Sequence, residues 1–237
     1  MKELLDLCGC EGGAAMGYMR AGWRVTSVDL DANALELNPA DVTVKADALE
    51  YFADRGHRFD AVHISCPCQR WAANGGNPAA SKWPDLITPA RALLEASGLP
   101  YVMENVSKAP LRRDLILCGS MFGLTATDTD GTTLHLRRHR VFESNITLTA
   151  PGPCVHPRGV QWAGVYGGAR KDKVEARTVR RGGYVPPDAT IQSTLLGGVP
   201  WMSAKGRREC IPPIYSFTVG RLLMSALTGY EAANVEG

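Results

Sequence analysis

Short, mainly apolar runs alternate with amphipathic stretches over the first two thirds of the chain. Leu4 to Leu7, Val25 to Val28, Ala61 to Ile64 and Tyr101 to Met103 each end near a polar or small residue, the pattern of buried strands. Between them, Gly12 to Ala21, Ala32 to Leu37 and Pro89 to Ala96 suit helices, the last with Ala90, Leu93, Leu94 and Ser97 at helical spacing. Strands alternating with helices predict βαβ units and a mainly parallel, doubly wound, Rossmann-like α/β sheet. Ligands of such sheets bind at the carboxyl ends of the strands. The texture changes near Ala150. Between Pro151 and Pro187 the chain is rich in Gly, Pro and Arg, with Trp162, Tyr166 and Tyr184 scattered among them and no sustained period. After it, Ile214 to Leu227 returns to an apolar pattern that suits a closing helix. The expected organisation is therefore a core over residues 1–150, a small irregular insertion over 151–187, and a segment over 188–237 that rejoins the core.

Composition adds little to this picture except by exclusion. Hydrophobic residues make up 45% and charged residues 21% of the 237 positions, ordinary values for a globular protein that buries a core. The start MKELLDLCGC lacks a basic region followed by an apolar run, and no stretch approaches the roughly 18 apolar residues of a membrane span. A soluble, cytoplasmic protein is expected, with no membrane and no obligatory protein partner. Seven cysteines is an odd count; in a reducing compartment a disulfide framework is not expected. Net charge is only +2, but it is unevenly spread. From Arg137 to Arg181 stand Arg137, Arg138, Arg140, Arg158, Arg170, Lys171, Lys173, Arg177, Arg180 and Arg181, against Glu143, Asp172 and Glu175. Such a segment suits a phosphate backbone or simply solvated loops.

Candidate chemistry gathers at the strand ends. The segment Asp6-Leu7-Cys8-Gly9-Cys10-Glu11-Gly12-Gly13 follows the first strand and leads into a helix, where glycines admit a close ligand and the helix start offers free N–H groups. It lacks the GxGxxG spacing of dinucleotide sites, so an ordinary glycine turn competes with that reading. Asp29 closes the next strand, placed to accept from ribose hydroxyls. Asp47 follows another short run and equally suits a helix N-cap. The fourth strand runs into Ser65-Cys66-Pro67-Cys68-Gln69, and the next ends in Glu104-Asn105-Val106. A thiol and an acid converging on one sheet edge form a nucleophile and proton-donor pair for an electron-poor carbon.

The ordered set DLCGCEGG, PCQ at Pro67 to Gln69, ENV at Glu104 to Val106, RRHR at Arg137 to Arg140 and IPPIYSFTVG at Ile211 to Gly220 resembles the motifs of the DNA cytosine-5 methyltransferases, most of all their compact phage and prophage-encoded members. Only the Pro151 to Pro187 stretch is unmatched. The resemblance implies a Rossmann-like S-adenosylmethionine-dependent methyltransferase fold with a reduced target-recognition insertion, S-adenosyl-L-methionine as cofactor and double-stranded DNA as partner. It implies Cys68 as the nucleophile attacking carbon 6 of a flipped cytosine, Glu104 as the acid at ring nitrogen 3, and Arg138 and Arg140 as supports of the ring and of both groups. It places the cofactor against Asp6, Cys8, Gly9, Gly12, Gly13, Asp29, Leu30, Asp47, Ala48 and Pro67. Gln69, Asn105, Arg170, Lys171, Lys173 and Arg177 are the expected substrate contacts. No metal ligand is assigned.

Two departures stand out. Cys66 replaces the proline that usually precedes the PCQ motif, and is read as a tolerated small side chain. Arg208-Glu209 replaces a usual glycine–asparagine pair near the methionine pocket, leaving the transferred one-carbon group open. Rival readings are the same chemistry on transfer RNA, a catalytically silent DNA-binding protein, and a thiolate metal module of Cys8, Cys10, Cys66 and Cys68. The last is disfavoured, because four-cysteine sites normally pair their ligands as CxxC or wider. Cys154-Val155-His156 is read as a turn rather than half of a zinc site.

Overall fold

A computed structural model describes residues 1–72, 83–166 and 184–235. Ten strands are formed among them: β1 (Glu3–Leu7), β2 (Arg24–Asp29), β3 (Val42–Lys45), β4 (Ala61–Ile64), β5 (Tyr101–Asn105), β6 (Leu115–Leu117), β7 (Thr125–Thr127), β8 (Thr133–Leu136), β9 (Arg140–Ser144) and β10 (Gln161–Ala163). The α-helices are α1 (Gly13–Arg20), α2 (Ala32–Leu37), α3 (Ala48–Arg55), α4 (Gln69–Ala72), α5 (Ile87–Ser97), α6 (Ala189–Leu195), α7 (Ala204–Glu209) and α8 (Pro213–Val235). Seven strands make one sheet in the order β3-β2-β1-β4-β5-β9-β6. Its β1 to β5 pairings are parallel, and β9 runs antiparallel to both β5 and β6. The order turns back at β1, where β2 lies on one side and β4 on the other, the topological switch point at which such sheets bind ligands. The doubly wound expectation holds.

The strands read as near-continuous apolar runs because both faces of the sheet are covered. On one face Leu4, Val25, Ala61 and Val102 pack with Ala15 and Tyr18 of α1 and Tyr215, Val219 and Leu223 of α8. On the other, Leu5, Leu7, Val28, Val62, Ile64 and Met103 pack with Phe52 of α3 and Ile87, Ala90 and Leu94 of α5. The alternation of Leu4 and Leu5 between these clusters is the period-two signature of a strand. α1 and α8 touch through glycine: a Cβ on Gly17 would lie 2.0 Å from the Pro213 carbonyl oxygen, so only a bare backbone permits that crossing. Trp23 Nε1 donates to the Gly220 carbonyl at 2.9 Å, fixing α8 along its length. On the second face Arg91 of α5 grips the buried Glu143 of β9 through Nε and Nη2 at 2.6 and 2.8 Å, a bidentate geometry that sets both distance and orientation.

A second sheet of three strands, in the order β10-β8-β7, lies over its own cluster of Leu134, Leu136, Val165, Leu195, Leu196 and Val199. Here β10, from the stretch read as irregular, pairs in parallel with β8. Residues 167–183 of that stretch lie outside the described residues, and with them Arg170, Lys171, Lys173 and Arg177. No described helix is long and apolar enough to cross a membrane.

Candidate active site

One cleft of about 540 Å³ opens at the carboxyl ends of β1, β2, β4 and β5, a volume within the range of small-molecule and cofactor sites. Its lining joins the glycine loop, Asp29, the Ser65 to Gln69 loop, the end of β5, Arg140 and α7.

At the cofactor end the backbone itself is the instrument. Cys8 and Cys10 adopt left-handed φ values of 58° and 48°, a conformation that costs a non-glycine residue roughly 1–2 kcal/mol. Such strain persists only where surrounding contacts over-determine it. Those contacts are present: Cys10 N donates to Asp29 Oδ2 at 2.9 Å, and Asn38 Nδ2 to the Cys10 carbonyl at 2.9 Å. Gly9 packs so closely that a Cβ would lie 1.8 Å from Ser27 Oγ. Asp29 also accepts from Asp31 N at 2.9 Å through its other oxygen, yet a carboxylate has about four lone-pair sites, so acceptor capacity toward the cleft remains. Asp6 is fully buried, and one of its carboxyl oxygens has no hydrogen-bond partner. Burial, reinforced by the charge of Asp29 and opposed by a hydrogen bond from Ser27, pushes its pKa up to about 7.

At the other end, Cys68 follows β4 and immediately precedes α4. Asn105, at the end of β5, donates from Nδ2 to the Cys66 carbonyl at 2.8 Å, tying the cysteine loop to the neighbouring strand. Cys66 itself is buried in the core, which pushes its thiol up to about 12. Glu104 and Arg140 are each about 5% exposed by side chain and form an ion pair, Arg140 Nε to Glu104 Oε1, at 2.9 Å. The N–H is not directed at that oxygen, which therefore makes no hydrogen bond. Burial raises the Glu104 carboxyl above the ordinary glutamate range despite the opposing pull of Arg140 and Ser65. Burial likewise raises the Cys68 thiol, with Arg140 pulling it down and Glu104 adding to the rise. Burial thus raises both the acid and the thiol, and in each the Arg140 cation opposes the rise.

Twelve of the expected site residues line this cleft: Asp6, Cys8, Gly9, Gly12, Gly13, Asp29, Pro67, Cys68, Gln69, Glu104, Asn105 and Arg140. Four described ones do not. Leu30 is 65% exposed outside it. Asp47 caps α3, accepting from Leu49 N and Glu50 N at 2.9 and 3.0 Å, and Ala48 opens that helix. Arg138 is fully buried and serves carbonyl groups: Nε donates to Cys210 O at 2.8 Å, Nη2 to Arg208 O at 2.7 Å, and Nη1 to Gly164 and Val165 O at 3.1 and 3.0 Å. It therefore stitches the segment before α8 to the segment after β10, with the Tyr166 ring 4.5 Å from its guanidinium.

Sequence reasoning missed Glu11 and Lys205, which also line the cleft, as does Glu209, already placed near the methionine pocket by its motif. Glu11 is buried and accepts from Ser203 N at 2.7 Å and Ser203 Oγ at 2.5 Å. A Cβ on Gly206 would lie 2.0 Å from Glu11 Oε2, so α7 closes on the glycine loop only because that position is bare. These contacts join residues far apart in the chain, and the glutamate inside the glycine loop was their only local signal. His63, in the middle of β4, was missed as well: it bridges Tyr18 Oη and Ser65 Oγ at 2.9 and 2.8 Å, and burial drives its pKa down to about 3.

No known family model and no curated protein matches the sequence. Solved structures do match. A protein assigned as a DNA modification methyltransferase encoded within an E. coli prophage superposes with a TM-score of 0.57 over 96% of this chain and 100% of its own, at 13% identity. The S. pombe Dnmt2 methyltransferase superposes with a TM-score of 0.57 over 95% of this chain and 99% of its own, at 12% identity. The fold is a Rossmann-like methyltransferase fold. At these identities the likeness is one of architecture, and the chemistry must be argued from the cleft.

Proposed function

We propose that this protein is an S-adenosylmethionine-dependent DNA cytosine-5 methyltransferase acting through Cys68. The observation that carries the reading is the convergence in one cleft of a strand-end thiol, a buried acid with a raised pKa and an arginine paired to it, beside a strained glycine loop. A thiol beside a buried acid whose carboxyl is raised above the ordinary range suits addition to a ring carbon assisted by protonation of a ring nitrogen.

The residues at the cofactor end fit S-adenosylmethionine. Asp6, Asp29 and Glu209 make this end acidic, which complements a sulfonium and an ammonium group. The unpartnered oxygen of Asp6 suits one of those cations, and Asp29 a ribose hydroxyl. Glu209 in place of a neutral residue favours the ordinary donor over one that carries an additional carboxylate. When bound, the cofactor supplies an electrophilic methyl group. The chain's own residues do the rest: the Cys68 thiolate adds to carbon 6, Glu104 donates a proton to nitrogen 3, and Arg140 holds both groups in register. Carbon 5 takes the methyl group, nitrogen 3 returns its proton to Glu104, and loss of the carbon 5 proton to a base with elimination restores the thiolate. Arg138 acts through its neighbours, by holding Tyr166 and the segment before α8 against the cleft.

A target carbon inside a duplex is out of reach of such a cleft, so the base is extruded at a cost of a few kcal/mol. Phosphate contacts from Arg170, Lys171, Lys173 and Arg177, in the 151–187 target-recognition segment, offset this without reading sequence. So short a segment places few base contacts, each worth ~1–3 kcal/mol of discrimination, and recognition is accordingly short or loose. The test is mass spectrometry of nucleosides from double-stranded DNA and transfer RNA, each treated with protein and S-adenosylmethionine. 5-Methylcytosine in the DNA is expected; its appearance only in the RNA, or a different cytosine adduct, would overturn the substrate or the donor.

A further inference from the structure

Outside the lining of the cleft, the fold assembles a second constellation that the proposed reaction does not use. Cys118 follows β6, His139 directly precedes β9, and Cys154 and His156 stand in the loop between β9 and β10. Their donor atoms all lie within 4.8 Å of one another. Cys118 Sγ is 3.3 Å from His156 Nε2, His139 Nε2 is 3.4 Å from Cys154 Sγ, and Cys154 Sγ is 3.5 Å from His156 Nε2. Cys118 is buried, the two histidines are half-buried and Cys154 is at the surface.

We propose that these four side chains bind one zinc ion in a closed, structural Cys2His2 site. A tetrahedral zinc with sulfur at about 2.3 Å and nitrogen at about 2.0–2.1 Å holds its sulfur and nitrogen ligands about 3.5–3.6 Å apart. The three sulfur–nitrogen separations above already approach that edge length. Two thiolates and two imidazoles are the donor set that a borderline-soft, tetrahedral cation selects. Four protein ligands leave no open position, so the ion's role is architectural. Ser120 Oγ lies 3.6 Å from Cys154 Sγ, in reach to steady a thiolate, and the Trp162 ring meets His156 edge-on at 5.0 Å, closing the outer side.

His139 stands between Arg138 and Arg140 in the chain, so an ion at His139 fixes the backbone from which one arginine reaches the cleft and the other reaches the carbonyls before α8. The same ion ties the start of the target-recognition segment to the catalytic sheet. Binding requires both cysteines as thiolates, and so couples metal affinity to pH and to folding.

The test is metal analysis of the full chain, expressed with zinc and dialysed to remove loosely held ions, together with the absorption spectrum after exchange for cobalt(II). About one zinc per chain is expected, with cobalt giving the intense visible bands of four-coordinate geometry and a thiolate charge-transfer band. Cys154→Ser, a surface substitution whose fold is checked by circular dichroism, should lose most of the zinc and that spectrum, whereas Cys68→Ser keeps both. Folded protein that takes up neither metal would show that the cluster is only a hydrogen-bonded turn and overturn the proposal. Undiminished zinc in a Cys118→Ser/Cys154→Ser double variant would place the ion elsewhere and overturn it equally. Methyl transfer enters none of these readouts, so the result stands apart from the proposed activity.

Discussion

The two ends of the cleft are built on different principles. At the cofactor end the working parts are backbone turns: left-handed Cys8 and Cys10, a crowded Gly9 and carboxylates that hold the loop while leaving acceptor capacity unused. At the other end they are side chains set against one another before any substrate arrives, with Arg140 paired to Glu104 and opposing the burial that raises the Cys68 thiol. On the proposed reading the first end receives a cation; the second already contains one, Arg140. Changes at the two ends should therefore separate, those at the first altering cofactor affinity and those at the second altering turnover.

The largest separation is expected for Cys68→Ala. Loss of a covalent nucleophile should lower turnover by about four orders of magnitude or more, while calorimetry finds S-adenosylmethionine affinity within about twofold of the parent. Glu104→Gln removes the proton donor and should cost about 10²- to 10⁴-fold in turnover, again with cofactor affinity retained. Equal loss of affinity in either variant would dissolve the distinction between the ends.

Asp6→Asn tests the other side. An ionised partner for a cation contributes about 1.5–3 kcal/mol, so affinity for the cofactor should fall about tenfold or more with turnover at saturation little changed. Asp6 holds its proton in the folded chain up to about pH 7, against an ordinary value of 3.8. A cationic ligand favours the ionised form, so cofactor affinity should rise as pH increases through 7 and binding should release a proton. Without ligand the sign is opposite for stability: the unfolded chain ionises first, and the folded state loses stabilisation as pH climbs from about 4 to about 7. Both slopes should flatten in Asp6→Asn. The smallest effect is expected for Arg140→Gln in the alkylation of Cys68 by iodoacetamide. Removing the cation that lowers the thiol should move the rate-against-pH profile to higher pH, and an unmoved or lowered midpoint would detach Arg140 from the thiolate.

The same contrast explains what was legible in the sequence. β1, β2, β4 and β5 are buried on both faces, so their apolar runs announce them, and a chemical residue at the end of such a run is already at the ligand-binding edge. The placement of Cys68, Glu104 and Asp29 at the cleft was readable for that reason. β6, β7 and β10 have three residues each, too few to display a period of two, and the second sheet was invisible. Asp47 offered an acid and a helix start together, and its side chain caps α3. Arg138 and Arg140 share one motif, yet only the fold reveals that the first meets four carbonyl groups and the second a carboxylate. Glu11 with Ser203, and Cys118 with His156, are pairs whose partners lie far apart in the chain, and neither half carries the other's address.

The most direct test of the central claim is covalent trapping on double-stranded DNA containing 5-fluorocytosine, in the presence of S-adenosylmethionine. Fluorine at carbon 5 cannot leave as a proton, so elimination is blocked and the adduct persists. The wild-type protein should form a denaturation-resistant complex whose cross-linked peptide contains Cys68, and Cys68→Ala should form none. Adduct at full yield in Cys68→Ala, or a cross-link mapped to another residue, would contradict the account.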